Sequence, residues 1–243
     1  GIRDWSVAGV QTCALPIWVA AALLLALGLA LGPGVGGHAA DATHAVVPGE
    51  KLEGAVAERD GEAVVEFRGR RVFAYAFKPE QFKPYVRELY TLRGENVLRD
   101  APSDHLHHHG LMYAIRVNGV NFWEERMPAG RQVGRSAPTL RFGRTREGLP
   151  QAVLRHSLAW LAPAQPSLRD ALLREERELV LTVDPRVEEV RVEWRGVFSP
   201  GPRADTLSLS GANYHGLGMR FPAEFDLAAS FLNSEGAAYS AAQ

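Results

Sequence analysis

Four of the eight histidines lie within five residues, in the segment Asp104-His-Leu-His-His-His-Gly110. Imidazole changes its charge near neutral pH, so several of them beside a carboxylate are typical of acid–base catalysis or of metal binding. The internal position and the interruption at Leu106 exclude a purification tag. A lone histidine of this kind could simply hydrogen-bond to loop backbone, but four together predict a site that acts on or binds a ligand.

Spacing limits how these imidazoles could share a metal ion. In an extended segment His105, His107 and His109 share one face, while His108 points to the other. Residues two apart are then about 6.6 Å apart and can converge, whereas residues four apart are about 13 Å apart. One His-x-His pair is therefore a natural chelate for a divalent metal, the candidate cofactor. The third ligand is not fixed by spacing, and three residues are available: His215, Glu124 and Glu125.

Metal-free acid–base chemistry is the alternative. Opening or enolising a sugar needs one proton donor or acceptor on each side of the reacting carbon. We assign the catalytic roles to His105, His108 and His215, and we expect Asp104 to orient one of the imidazoles.

Aromatic and polar side chains near the cluster are candidates for substrate binding. Rings stack on the apolar faces of pyranoses, and histidines at the rim could bind hydroxyl groups. The candidates are His107, His109, Tyr113, Trp123 and Tyr214. For Tyr113 and Trp123, packing in the core is the alternative. The neighbouring arginines are predicted to be solvated, with binding of an anionic substrate as the alternative: Arg87, Arg93, Arg99 and Arg116.

The elements around the cluster follow a period of two, which predicts strands. Val190 to Phe198 alternates apolar and charged residues, and four other runs behave similarly: 63–67, 72–77, 152–161 and 177–183. Asp60-Gly61, Asn118-Gly119 and Asp184-Pro185 predict turns between such runs. Residues 167–177 are the one stretch that could pass for a helix. The sequence predicts an all-β chain, an antiparallel β-sandwich of one domain.

Composition excludes several classes of protein. The 27 basic and 28 acidic residues give a net charge of −1, so no broad nucleic-acid surface is expected. Residues 18–31 are uncharged and apolar but too short to span a bilayer, and a Gly-Pro break and small residues follow. This pattern predicts a signal peptide over 18–40 and an exported, periplasmic or extracellular bacterial protein.

The chain ends carry two further expectations. Val10-Gln-Thr-Cys-Ala-Leu-Pro-Ile17 reads as the translation of a common sequencing-library adapter, so we expect residues 1–17 to be non-native. The only cysteine lies there, which leaves residues 41–243 without a thiol or a disulfide. The tail after Phe231 has no closing strand, so the domain is expected to be incomplete at its C-terminus.

Four motifs resemble the DUF6807 family: Phe82-Lys-Pro-Tyr85, Asp104-His-Leu-His-His-His-Gly-Leu-Met-Tyr113, Val117-Asn-Gly-Val-Asn-Phe-Trp123 and Tyr214-His-Gly-Leu-Gly-Met-Arg220. The resemblance implies an exported β-rich protein, similar to galactose-mutarotase-like carbohydrate enzymes and longer than this chain. His105 and His108 match the family motif more closely than His107 and His109 do. If only the first two belong to the pattern, they face apart in a strand unless a turn brings them together.

The family is often labelled "methane oxygenase PmoA", and we reject that activity. Membrane-bound methane oxidation needs an assembly of transmembrane helices, whereas one short apolar run precedes a β domain here. We expect an enzyme acting on a small sugar or oligosaccharide, by His/carboxylate or metal-assisted chemistry. The alternative is a non-catalytic carbohydrate-binding module. Neither a nucleic acid nor an integral membrane assembly is expected as partner.

Overall fold

The computed structural model describes residues 50–163, 167–202, 204–212 and 215–225 with their side chains. It describes the backbone alone at 17–25, 230–232 and 238–240. The predicted signal peptide beyond residue 25, most of the adapter-like segment and Tyr214 lie outside the described residues.

The described chain consists of strands with two short 3-10 turns, Leu168–Asp170 and Ala223–Phe225. The strands are β1 Ile17–Leu25, β2 Leu52–Ala57, β3 Glu62–Phe67, β4 Arg70–Ala76, β5 Tyr85–Leu89, β6 Leu111–Ala114, β7 Arg116–Val117, β8 Val120–Asn121, β9 Arg131–Gly134, β10 Thr139–Arg144, β11 Pro150–Leu161, β12 Leu173–Asp184, β13 Glu189–Pro200, β14 Leu209–Ser210, β15 Gly216–Met219, β16 Ser230–Leu232 and β17 Ala238–Ser240.

Two large antiparallel sheets pack on each other, which confirms the predicted all-β sandwich. One sheet has the order β1-β13-β12-β11-β10, with β9 also pairing to β11. The other has the order β15-β6-β5-β4-β3-β2. A small sheet, β14-β7-β8, stands beside them, and β16 pairs with β17.

The strands form where alternation lets one face enter the core. In β13 the buried Val190, Val192 and Trp194 alternate with more exposed charged residues. The predicted turn at Asn118-Gly119 joins β7 to β8, and both residues have positive φ angles, 48° and 81°, as a tight hairpin requires. The stretch that could pass for a helix contains one 3-10 turn and then becomes β12. Pairing with β11 and β13 outweighs its local helical preference.

A buried polar network joins the two sheets. Arg177 on β12 is 1% exposed and donates to both carboxylate oxygens of Glu175, at 2.7 and 2.9 Å. It also donates to Tyr75 on β4 at 3.3 Å and to Gln132 on β9 at 2.9 Å. Its guanidinium carbon lies 4.5 Å from the ring centroid of Trp194. Every charge in this network has a partner, which is the condition for burying charge.

Within this network His156 is neutral. Its Nδ1 lies 3.0 Å from the Tyr75 hydroxyl, and its Nε2 lies 3.1 Å from the Ser136 carbonyl oxygen. Burial, together with the positive charge of Arg177, lowers the pKa of His156 to about 3. The Nε2–H therefore donates to Ser136, and Nδ1 accepts from Tyr75. Since both nitrogens are used, His156 stabilises the fold.

The apolar N-terminal run is partly described, and it forms a strand that the sequence pattern does not predict. Ile17–Leu25 forms β1 at the edge of the first sheet, antiparallel to β13 from Ile17↔Phe198 to Leu25↔Val190. Alternation does not predict this strand, because the run is apolar at every position. Its removal as a signal peptide stays a prediction. Among the described residues no helix is both long and apolar enough to cross a membrane.

The buried ion pair gives a test of the fold. We expect Arg177→Met to lower the free energy of unfolding by about 3–5 kcal/mol, because Glu175 would remain buried without its cation. Arg155→Ala is the control, since its ion pair with Glu178 is exposed, and we expect a loss below about 1 kcal/mol. Urea unfolding of both variants provides the measurement, and equal losses would contradict the prediction.

Candidate functional site

The histidine-rich segment forms a loop of successive turns between β5 and β6, and we call residues 100–110 the imidazole loop. His105 N donates to the Pro102 carbonyl at 2.8 Å, and His108 N donates to the His105 carbonyl at 2.9 Å. Ala101 N then donates to the His108 carbonyl at 3.0 Å, which closes the loop on itself. Ala101 has a φ of 42°, the left-handed region that non-glycine residues rarely adopt. The loop is therefore held by its own backbone.

The turns bring three imidazoles together, and we call His105, His107 and His108 the imidazole cluster. The ring centroid of His108 lies 4.8 Å from that of His105 and 4.5 Å from that of His107. The His105 and His107 centroids are 6.3 Å apart. The segment is not extended, because the turn at 105–108 places His108 with its neighbours. This turn is the alternative that the family resemblance required.

Asp104 and His105 form a carboxylate–imidazole pair at the edge of the cluster. The Asp104 Oδ2 lies 3.0 Å from the His105 Nδ1, and both side chains are about half exposed, at 60% and 47%. The hydrogen bond from His105 lowers the pKa of Asp104, which is therefore ionised at neutral pH. It accepts the Nδ1 proton, so the Nε2 of a neutral His105 keeps its lone pair for a ligand.

Trp123 connects the cluster to His215. The His108 ring meets the indole edge-on, with centroids 5.8 Å apart, and the His215 ring stacks on the indole at 5.5 Å and 21°. Trp123 is 6% exposed, and a Cβ on Gly218 would lie 2.9 Å from its ring, so β15 holds the indole in place. His215 thus reaches the cluster through a shared indole. Its Nδ1 is buried and has no hydrogen-bond partner among the described residues.

The imidazoles beside Trp123 are neutral at pH 7. Burial lowers the pKa of His108 to about 4, and the neighbouring His107 and His105, followed by Arg220 and Lys83, lower it further. Burial is also the main cause of the lowered pKa values of His107 and His215. Each neutral ring has one donor and one acceptor nitrogen, so these residues are proton acceptors at physiological pH.

His109 points away from the cluster and is clamped between two carboxylates. Its Nδ1 lies 2.6 Å from Asp100 Oδ1, and its Nε2 lies 2.9 Å from Glu125 Oε1. The ring stacks on Tyr85, with centroids 4.0 Å apart and planes 16° apart. An ionised carboxylate only accepts hydrogen bonds, so both nitrogens of His109 must donate and the ring is an imidazolium.

Charges alternate along this clamp. Lys83 is fully buried and donates from Nζ to Glu125 at 2.8 Å and to the Trp123 carbonyl at 2.9 Å. Burial alone would raise the pKa of Glu125, but His109 and Lys83 outweigh it and lower the pKa to about 2. Burial likewise opposes the charge on His109, and hydrogen bonds to Asp100 and Glu125 reverse the effect and raise its pKa. The Tyr85 hydroxyl donates to Asp100 at 3.0 Å.

The structure separates the residues that the sequence grouped together. Asp104, His105, His107 and His108 lie in one loop, with His215 joined to them through Trp123. The predicted binding residue Tyr113 packs elsewhere, 5.5 Å from Phe198 and 6.2 Å from Trp160 in the core, so no contact places it in the site. Tyr214 lies outside the described residues, and its substrate-binding role stays a prediction.

The clamp also decides which residues could hold a metal. Both nitrogens of His109 donate to carboxylates, so it has no lone pair for an ion and is a poor candidate ligand. His107 and His108 are the nearest pair of neutral rings. Within the described part of the chain, no group of three or more His, Cys, Asp or Glu side chains could hold a metal ion.

Sequence reasoning missed two residues of the clamp, Lys83 and Asp100. Lys83 lies between Phe82 and Pro84, directly before the buried start of β5, and a lysine in such a place signals a buried partner. Asp100 gives no comparable signal, because it lies in a polar stretch of the loop. The approach of Gly110 to β5, where a Cβ would lie 2.4 Å from the Val86 carbonyl oxygen, fixes where the loop ends.

The clamp predicts a pH-dependent stability difference. The folded pKa of His109 is raised, so its contribution is fully present below the unfolded value of about 6.5 and is lost as pH rises through the folded value. Glu125 contributes fully above about 4.5 and loses this contribution as pH falls towards 2. We therefore expect His109→Gln to cost about 2–3 kcal/mol between pH 5 and 6.5, and less at higher pH.

Urea unfolding of wild type and His109→Gln across pH 5 to 9 measures this difference. Lys51→Ala is the control, because Lys51 pairs with Glu53 and both side chains are mostly exposed to solvent. Its curve should run parallel to that of wild type. A His109→Gln deficit that stays constant or grows with pH would contradict an imidazolium at this position.

Comparison with known proteins gives a family but no characterised relative. The model of a family of unknown function, DUF6807, matches residues 62–243, about three quarters of the chain. The match includes the imidazole loop, the clamp and His215. No curated protein and no solved structure matches the chain. This chain belongs to the DUF6807 family.

Proposed function

We propose that this protein is an exported enzyme that acts on a carbohydrate or sugar derivative by histidine and carboxylate acid–base chemistry. The observation that carries the proposal is the imidazole cluster, in which a neutral His108 lies beside the Asp104–His105 pair. Such a pair of groups can take a proton at one atom of a substrate and return one at another.

The roles follow from the environments of the two rings. His108 is neutral and half-buried, which favours a proton acceptor. His105 is more exposed and is oriented by Asp104, which stabilises the imidazolium that forms when His105 accepts a proton. With the substrate beside both rings, whose centroids are 4.8 Å apart, His108 would take a proton from one substrate atom and the imidazolium of His105 would return a proton to another, as enolisation or ring opening requires.

A sugar suits the donors and acceptors at this site. Neutral imidazoles donate and accept one hydrogen bond each, which matches hydroxyl groups. Glu124 is exposed beside Trp123 and adds acceptors, and the Nδ1 of His215 is without a partner. The indole of Trp123 is covered by His215 on one face, so we assign it to the support of the rings, and contact with the substrate falls to the imidazoles.

Export rests on the sequence pattern of residues 18–40. An apolar run, a Gly-Pro break and small residues near Ala39 and Ala40 support a secreted or periplasmic location. The absence of cysteine from 41–243 means that an oxidising compartment would form no disulfide in the mature chain.

The catalytic roles predict a specific pattern of activity loss. Incubation of the full chain with a panel of aldoses and keto-sugars in D₂O, followed by NMR, would reveal deuterium entry or a new product. We expect His108→Ala and His105→Ala each to lower turnover by about 10²–10⁴-fold, because each removes a proton-transfer group.

Leu106→Ala is the matched control for these variants. Leu106 lies in the same loop, is 66% exposed and has no assigned role, so turnover should be unchanged. Isothermal titration separates the alternative function, a non-catalytic carbohydrate-binding module. Sugar binding by wild type without turnover would favour that module, and neither binding nor turnover would overturn both functions.

A metal-assisted form of the same reaction would use the His107 and His108 pair. Their ring centroids are 4.5 Å apart, close enough for both neutral rings to turn a nitrogen towards one ion. Elemental analysis of the purified full chain is the test, with His107→Ala as the comparison. Stoichiometric zinc, copper or iron that disappears in the variant supports metal assistance, and an unchanged trace level supports acid–base chemistry alone.

A further inference from the structure

Arg220 and Arg99 stand out among the arginines. Most arginines with a hydrogen-bond partner bind a carboxylate, as Arg87 binds Glu62 and Arg93 binds Glu188. Of the arginine side chains that the structure describes without a hydrogen bond or an ion pair, nine are exposed: Arg59, Arg70, Arg116, Arg126, Arg135, Arg141, Arg146, Arg169 and Arg174. Arg99 and Arg220 are the two that are half-buried. Their guanidinium groups make no hydrogen bond or ion pair with the described residues, so they are available to an anionic ligand.

The backbone places these two arginines at the base of the imidazole loop. Arg220 directly follows β15, and its N donates to the Gly110 carbonyl at 2.7 Å, where the loop ends. Arg99 N donates to the Arg220 carbonyl at 2.9 Å, where the loop begins. Both contacts are main-chain, so the position of Arg220 does not depend on its side chain, which is free to serve a ligand.

The charge of Arg220 acts on the proposed catalytic groups. For Asp104 the main cause of the lowered pKa is the hydrogen bond from His105, and Arg220 contributes. For His108 the main cause is burial, followed by the neighbouring His107 and His105, and Arg220 again contributes. The other cation that acts on His108, Lys83, is already bound to Glu125. Of the arginine and lysine side chains that act on His108, Arg220 is therefore the one without an ion pair among the described residues.

We propose that the imidazole loop takes a sugar acid and that Arg220 binds its carboxylate. The inference rests on the proposed function and narrows its substrate class from carbohydrates to uronates and related acids. A guanidinium binds a carboxylate through two parallel N–H···O bonds, which fixes the orientation of the ligand as well as its charge. With the carboxylate held there, the hydroxyl-bearing carbons lie towards His105 and His108.

Isothermal titration of the full chain tests the inference with four ligands: D-glucuronate, D-galacturonate, D-glucose and D-galactose. We expect at least one uronate to bind more tightly than the matching neutral sugar. Arg220→Gln should weaken uronate binding about tenfold or more, because a charge-assisted pair is lost. Arg220→Lys keeps the positive charge but cannot form two parallel hydrogen bonds. Its affinity for the uronate should therefore lie between those of wild type and Arg220→Gln. Arg141→Gln is the matched control, since it removes one exposed, unpaired positive charge from β10 in the other sheet.

Each outcome has a distinct meaning. Uronate binding that Arg220→Gln weakens and Arg141→Gln does not would support the inference. Neutral sugars bound as tightly as uronates, or uronate binding that Arg220→Gln leaves intact, would overturn the inference while the proposed function stands. No binding of any of the four sugars, and no turnover in the wider panel, would overturn the proposed function itself. If Arg220→Gln fails to fold, Arg220→Lys decides, because unchanged uronate affinity in that variant contradicts two-point binding of the carboxylate.

Discussion

The site depends on one buried cation, the imidazolium of His109 between Asp100 and Glu125. One carboxylate belongs to the loop itself and the other follows the small sheet, so this single ring ties two separate parts of the chain together. Lys83 repeats the arrangement from the other side by holding both Glu125 and the backbone of Trp123. Because an unpaired charge is costly in such a place, the four groups stabilise the site only as a set.

Identical side chains acquire opposite roles over two residues. His109 is charged and fully engaged, whereas His107 and His108 are neutral and free to exchange protons. Burial acts on all three in the same direction, and the difference comes from the two hydrogen bonds to carboxylates that His109 makes. His109 thus holds the loop in place, while its neighbours His107 and His108 remain available for proton transfer.

Much of the fold could be predicted because its information is local. Alternation along β11, β12 and β13 needs no knowledge of the partner strand, and Asn118-Gly119 carries its own turn geometry. The segment at 17–25 differs, because an unbroken apolar run has no period of two and so does not predict a strand.

The arrangement inside the site could be predicted only in part. Sequence placed the reactive residues in one segment and linked Asp104 to an imidazole, but it could not say which histidines face which way. That choice is made by two backbone turns and by Glu125 and Lys83, which are distant along the chain. Tyr113 was predicted to bind substrate because it is near the histidines in sequence. Nearness in sequence does not determine the side of the sheet on which a ring packs, and Tyr113 packs in the core.

The contact between Trp123 and Gly218 has a consequence for the reading of related sequences. A methyl group at position 218 would displace the indole on which both His108 and His215 rest, so only hydrogen fits there. Selection would then preserve this glycine as strictly as the histidines, although it has no chemistry of its own. An invariant glycine at position 218 would reflect tight packing against the indole. A ranking of positions by invariance alone would wrongly count it among the catalytic residues.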